Sequence, residues 1–245
     1  LDFDTKKPLV TKSGGSTDLV QQAEIMHRGG PEVFAAIYGR RADCYTMEQL
    51  LPQPAPLDYI ATWLRLLRIR HQFLPRLWAK APIPFPREVP WQVETDRWTQ
   101  LHAPWLQLPF RALYNNARPA ECLVHGDPTL SNTMLNGALE LRLIDPAPPR
   151  YGVPQLPEVD LGKLLQSAMG WEHLFCDDWP QAADNIDGLL HDLTTNADLP
   201  ERLHLDKRAL WWGAFHCARV MVRYPDDSRL ANWGLAASTR LAGML

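Results

Sequence analysis

Leu123-Val124-His125-Gly126-Asp127-Pro128-Thr129-Leu130-Ser131-Asn132-Thr133-Met134-Leu135 is an apolar run that delivers a His-Gly-Asp turn, places an Asn five residues after the Asp, and returns at once to apolar character. A second apolar run, Leu141 to Ile144, ends on Asp145-Pro146. Two runs that each end on a polar cluster read as a hairpin carrying chemistry, with Cys122 to Val124 as one arm and Leu141 to Ile144 as the other. Phosphoryl transfer from a nucleotide needs a carboxylate to orient an attacking hydroxyl and accept its proton. It also needs oxygen ligands to hold Mg²⁺ on the phosphates. Asp127, Asn132 and Asp145 form such a set. The spacing is specific: Asp145 follows Asn132 by thirteen positions, at the end of a second apolar run.

In these residues the chain resembles the aminoglycoside phosphotransferase and choline kinase group of small-molecule kinases, which share the protein-kinase-like fold. That group's catalytic loop reads His-Gly-Asp, four residues, Asn, as do His125-Gly126-Asp127, Pro128 to Ser131 and Asn132. Its metal-binding aspartate follows an apolar strand as Ile-Asp, matched by Ile144-Asp145, and an Asp-Leu pair then opens a helix, matched by Asp160-Leu161. The resemblance implies that Asp127 is the catalytic base, that Asn132 and Asp145 hold Mg²⁺, and that His125 and Asp160 brace the loop.

The first fifty residues read as strand, helix, strand, strand. Pro8 to Lys12 is a short strand, and Ser13-Gly14-Gly15 breaks it. Ser16, Thr17 and Asp18 can cap a helix with Leu19, Val20, Ala23 and Met26 on one face. Gly29-Gly30-Pro31 ends that helix, and strands follow at Val33 to Tyr38 and Cys44 to Met47. A kinase needs a strand lysine on the nucleotide phosphates and a helical acid to hold it. Lys12 and Glu24, twelve residues apart, stand in that order, so Glu24 is expected to reach back to Lys12. By the resemblance, Tyr45 to Leu50 is the hinge, where backbone groups of Met47, Glu48, Gln49 and Leu50 bond the adenine of ATP. The family also places a glycine-loop hairpin ahead of the lysine strand. Counted back from Lys12, roughly twenty-five residues or more are expected ahead of it, and the eleven present contain no glycine, so the hairpin is expected either ahead of Leu1 or to be lacking.

Leu51 to Pro56 carries three prolines in six residues and reads as a stiff extended connector, which puts a lobe boundary at 50/51. Beyond it the periodicity is helical. The spacing predicts helices over Leu57 to Leu74 (stopped or kinked by Pro75), two within Trp91 to Ala117 (broken at Pro104 and Pro109), and then Val159 to Phe175, Gln181 to Leu193, Lys207 to Tyr224 and Ser228 to Leu241. The expected architecture is α+β and bilobal: a small, strand-containing and truncated N-lobe over 1–50, and a mainly helical C-lobe over 51–245.

Composition bounds the partners. A formal charge of -3, with 25 basic against 28 acidic residues and no long block of one sign, speaks against bulk nucleic-acid or polybasic membrane binding. No apolar run approaches the length of a membrane span, roughly 18 residues. Leu1 to Lys7 lacks the apolar core of a signal peptide. Cys44, Cys122, Cys176 and Cys217 form no pair at metal or redox spacing, which fits buried thiols in a reducing cytoplasm. His173, His191, His204 and His216 show no ligand spacing and read as packing or surface residues. Asp177-Asp178 is a solvated turn or cap before it is an amine site, and Trp171, Trp179 and Trp211-Trp212 are core before they are an aromatic box.

The segment after Asp145 has four prolines in its first nine residues and no Ser or Thr before Asp160, fifteen positions on. That is a fixed loop rather than a phosphorylatable platform for a protein substrate. The sequence therefore points to an ATP- and Mg²⁺-dependent kinase acting on a hydroxyl of a small molecule: an aminoglycoside, choline or ethanolamine, homoserine, or a sugar. The alternative is a pseudokinase or scaffold of the same fold.

Overall fold

The structure is a computed structural model that describes residues 9–13, 17–41, 44–52, 59–115, 117–150, 152–175 and 206–245. The helix expected over Gln181 to Leu193, together with Cys176, Asp177, Asp178, Trp179, His191 and His204, lies outside the described residues.

The amino-terminal unit has the expected order. Strand β1 (Leu9–Ser13) is followed by helix α1 (Thr17–Gly29), then by β2 (Ile37–Arg40) and β3 (Cys44–Glu48). The sheet order is β1-β3-β2, antiparallel throughout, with Lys12 opposite Tyr45. Helix α1 turns Leu19, Ala23 and Met26 into the core as expected, but Ile25 joins them there in place of Val20, which is only half-buried. The strand expected from Val33 begins only at Ile37. Val33 to Ala35 instead reaches into the second sheet: Leu143 N–H donates to the Val33 carbonyl (2.8 Å) and Ala35 N–H to the Leu143 carbonyl (3.3 Å). The small unit is thereby stitched to the strand that leads to Asp145.

The second sheet corrects the expected hairpin. Strand β4 (Leu51–Pro52) pairs with β5 (Thr133–Leu135), and β5 pairs with β6 (Leu141–Leu143), in register Thr133↔Leu143 and Leu135↔Leu141. Cys122 to Val124 is extended but belongs to no strand; Cys122 N–H donates to the Gln155 carbonyl and Leu123 N–H to the Lys80 carbonyl, both at 2.9 Å. The hairpin partner is chosen by local turn chemistry. Asn136 Oδ1 accepts from Ala138 N–H (3.0 Å) and Glu140 N–H (2.9 Å), closing a turn over Asn136 to Glu140 in which Leu139 is left-handed at φ 59°. The expected connector also contributes a strand at its first two residues, because Leu51 pairs with Leu135.

Helix α2 (Tyr59–Arg68) runs through a π-turn (Ile69–Phe73) into α3 (Leu74–Trp78). Pro75 has no N–H to give the preceding turn, and the chain widens just before it: Leu74 N–H donates to the Ile69 carbonyl, five residues back. Helix α4 (Trp91–His102) stops before Pro104, and α5 (Gln107–Tyr114) follows a 3₁₀ turn. Pro109 does not break α5, because it lies in the first turn, where no intrahelical N–H is needed.

Helix α6 (Pro157–Ala168) ends near Gly170, which takes the left-handed conformation common at helix ends. The rest of the expected helix is a 3₁₀ turn, Glu172–Phe175. Helices α7 (Lys207–Arg223) and α8 (Ser228–Ala242) are capped by Asp206 and Asp227, whose carboxylates accept N–H groups of the first turns. Trp211 and Trp212 are fully buried, as the core reading expects. Their indole N–H groups are satisfied by the Leu106 carbonyl and the Tyr114 hydroxyl, each at 3.0 Å.

Helices α6 and α7 cross in backbone contact at Gly162, where an added Cβ would stand 2.6 Å from Trp212 Cβ and 2.7 Å from Gly213 N. The obstruction includes backbone, which cannot swing aside. Gly162→Ala is expected to cost about 2–3 kcal/mol in a urea melt. A loss under about 0.5 kcal/mol would show that the helices can part without strain.

Candidate active site

The site is a loop held at both ends. Gly126 has a φ of 78°, and a Cβ there would fall 2.5 Å from the Ala147 carbonyl oxygen. Only glycine therefore turns the chain between the buried His125 and Asp127. Ala147 N–H donates to the His125 carbonyl (2.8 Å) and Ile144 N–H to the Asn132 carbonyl (3.0 Å), which locks the Asp127 loop to the Asp145 segment.

Beneath the turn lies Asp160, fully buried in the first turn of α6. Its Oδ1 accepts Gly126 N–H (2.7 Å); its Oδ2 accepts His125 N–H (3.1 Å) and the Trp78 indole N–H (3.0 Å). His125 Nδ1 accepts Asp127 N–H (3.2 Å), and the ring stacks on Phe34 at 5.4 Å. His125 and Asp160 are thus internal supports, one leaning on the small unit and one on the helical part.

Asp127 presents its carboxylate between two partners. Asn132 Nδ2 donates to the Asp127 carbonyl (2.8 Å) and to Oδ2 (3.1 Å), while Lys163 Nζ lies 3.1 Å from Oδ1. Sequence reasoning passes over Lys163. A signal was available: Lys163 is three residues after Asp160 on one helix, so a face that reaches the loop through Asp160 also carries Lys163 toward it. Asp145, at φ 50°, takes the Lys12 ammonium at 2.6 Å on Oδ1.

Lys12 is therefore brought to the site, but Glu24 is not brought to Lys12. Glu24 accepts from Arg28 Nε (2.7 Å) and Arg40 Nη1 (2.8 Å). Hydrogen bonds from Arg40 and then Arg28 hold its carboxyl below the ordinary range. One guanidinium is the i+4 neighbour on α1 and the other comes from β2, so both outcompete an ammonium that has Asp145 in reach. In the expected hinge, Glu48 N–H is already given to the Ala36 carbonyl (2.9 Å). Met47 lies in β3 opposite Val10 and packs against the core. Gln49 and the buried Leu50 lie between β3 and β4, outside both ladders.

A cleft of about 490 Å³ opens from Gly126 and Asp127. The proline-rich segment after Asp145 forms one wall, and α6 and α7 form the others.

Burial sets the two supports against each other. It pushes the Asp160 carboxyl up to about 7, against its hydrogen bonds, and pulls the His125 imidazole down to about 4. Between about pH 4 and 6.5 the native Asp160 keeps a proton that the unfolded chain has lost, so its contribution to stability falls as pH rises. Over the same window the unfolded His125 holds a proton that the native one refuses, so its contribution rises. The two slopes, each about 1.4 kcal/mol per pH unit at most, cancel in the wild type. In Asp160→Asn the difference from wild type should show stability climbing from about pH 4 to 7. In His125→Asn it should show stability falling from about pH 4 to 6.5. Urea melts across pH check both, and parallel curves for all three proteins would contradict the assignment.

No model of a known protein family matches the sequence, and no curated protein matches it. Among the described residues no helix is long and apolar enough to cross a membrane. The mixed architecture, with two small sheets and a helical bulk flanking the loop, is the protein-kinase-like fold. Within that class it is the fold of the aminoglycoside phosphotransferase and choline kinase group. It is similar to choline kinase LicA from Streptococcus pneumoniae, with a TM-score of 0.59 at 12% identity, covering 98% of this chain and 88% of that one. An ethanolamine kinase of Plasmodium vivax matches with a TM-score of 0.53 at 12% identity, over 98% and 77%. A thermostable mutant of aminoglycoside phosphotransferase APH(4)-Ia matches with 0.54 at 10% identity, over 98% and 88%.

Proposed function

We propose that the chain transfers the γ-phosphoryl group of ATP, with Mg²⁺, to a hydroxyl of a small molecule. The observation that carries this reading is the tethering of Asp127 by Asn132 in the wall of a cleft, with the Asp145 segment locked to the same loop. Asp127 orients the acceptor hydroxyl and takes its proton as the oxygen–phosphorus bond forms. Lys163 offsets negative charge beside it, and the proline-rich wall fixes the width of the cleft. Lys12 is delivered by β1 to the nucleotide phosphates, and the backbone of Gln49 and Leu50 is free of both sheets to meet the adenine.

The donor set suits Mg²⁺. The Asn132 amide nitrogen is spent on Asp127, which leaves its oxygen for a cation, and Asp145 supplies a carboxylate. Among the described residues no cluster of three or more His, Cys, Asp or Glu could hold a metal alone. That fits an ion taking its remaining oxygens from phosphates and water. When bound, Mg²⁺ would neutralise charge on the β- and γ-phosphates.

One observation favours the scaffold alternative. Lys12 and Asp145 satisfy each other, and a nucleotide must part them. Thermal shift decides: with a Kd in the tens of micromolar, about 5 mM MgATP should stabilise the wild type by about 3 kcal/mol and leave Asp145→Ala nearly unmoved. No Mg-dependent shift in the wild type would leave the scaffold reading. A shift followed by ADP release with aminoglycosides, choline, ethanolamine, homoserine or simple sugars would fix the acceptor class.

A further inference from the structure

The charged groups around the cleft are unbalanced. Among the described residues that line it, Asp127 is the only carboxylate, against Arg150, Lys163, Arg219 and Arg223. Lys163 is accounted for by Asp127 and by Gln166, whose Oε1 it meets at 2.9 Å. Arg150, Arg219 and Arg223 take part in none of the ion pairs among the described residues.

Two of the three are steadied by rings. The Arg219 guanidinium lies 5.9 Å from the Phe215 ring centroid, and that of Arg223 lies 5.6 Å from the Tyr224 centroid. Such contacts place a guanidinium without neutralising it. Arg150 stands on the proline-rich wall, with its carbonyl tied to Arg87 Nη1 (3.2 Å) and its backbone bridged to Val153. Arg219 and Arg223 are i and i+4 on α7, where like charges repel. Burial, with Arg150 and Arg223 nearby, disfavours the charge on Arg219. His216, buried in the same wall, is held uncharged by burial and by Lys163 and Arg219. Among the described residues of the cleft Asp127 is the one carboxylate that offsets Arg219, and Lys163 already holds it; an anion entering the cleft would relieve the remaining repulsion between the guanidiniums.

We propose that the acceptor carries an anionic group, a carboxylate or a phosphate monoester, which Arg150, Arg219 and Arg223 hold while its hydroxyl faces Asp127. This deepens the phosphotransferase reading and rests on it. It turns the acceptor class away from choline, ethanolamine and aminoglycosides, whose amines the arginines repel, and toward hydroxy acids or phosphorylated polyols.

The test measures binding, so it needs no knowledge of the acceptor. The whole chain is titrated with inorganic phosphate, with citrate and with choline chloride at matched ionic strength, following thermal shift and the fluorescence of Trp98 and Trp171 in the cleft wall. Phosphate or citrate should stabilise the wild type. The effect should weaken at least about tenfold in Arg219→Ala. It should weaken likewise in Arg150→Ala with Arg223→Ala, whose side chains are exposed, so that loss of folding does not confuse the result.

Lys12→Ala should retain the effect, which separates the cleft from the nucleotide site. A response to phosphate alone assigns a phosphate monoester, and a response to citrate alone assigns a carboxylate. Stabilisation by choline alone, by no anion, or by anions equally in the arginine variants would overturn the proposal. MgATP is titrated into the same proteins. Anion binding lost from the arginine variants while wild type ignores MgATP would sink the phosphotransferase reading and leave the anion site standing.

Discussion

Asp127→Asn should lower turnover by about a thousandfold or more while leaving the MgATP-dependent thermal shift close to that of the wild type. The substitution keeps the shape of the side chain and an oxygen for the Asn132 amide, so the loop should stay closed. On the proposed role it removes the group that takes the acceptor's proton, and it removes the negative charge that pairs with Lys163. The measurement is initial-rate ADP release at saturating acceptor, beside nucleotide binding on the same protein. Activity within about tenfold of the wild type would mean that the acceptor proton leaves by another route. A matching loss of nucleotide binding would mean that Asp127 holds the nucleotide rather than the acceptor.

Asp160→Ala should be the most destabilising single change at the site, by roughly 3–5 kcal/mol. It leaves two backbone N–H groups and the Trp78 indole N–H aimed at a hole with no acceptor in it. Urea unfolding gives the stability. Turnover measured well below the melting temperature should fall as well, since His125 and Gly126 lose what holds them under Asp127. A loss below about 1 kcal/mol would show that the Ile144 and Ala147 hydrogen bonds suffice to close the turn. The two variants separate the roles: one should lose chemistry with the fold intact, the other should lose the fold's hold on the chemistry.

Much of this is legible in the chain itself. His125-Gly126-Asp127, Asn132 and Asp145 can be read as one set because the loop that joins them is short and its turn chemistry is local. The helix starts after Asp206 and Asp227 are legible for the same reason. The pairing of Cys122 to Val124 with Leu141 to Ile144 is a misreading that two apolar runs invite. What selects between partners is the turn over Asn136 to Glu140, closed by the Asn136 side chain, a local signal that outweighs the longer-range one. Lys163 is legible only through Asp160, whose expected hold on the loop turns the same face of α6 toward it; the backbone contact of Gly162 with α7 fixes that face.

Glu24 marks the boundary between the two kinds of information. Order and spacing pair it with Lys12, but a charged side chain takes whichever partner the folded backbone brings within a few ångströms. Arg28 and Arg40 hold Glu24, and Asp145 holds Lys12. The loop, its acid set and the alternation of elements follow from the chain alone, because they depend on residues near one another along it. The ion pairs, and the gathering of Arg150 with Arg219 and Arg223 in one cleft, come only from the packed fold. Charge acts through space, and packing settles which distant residues share it.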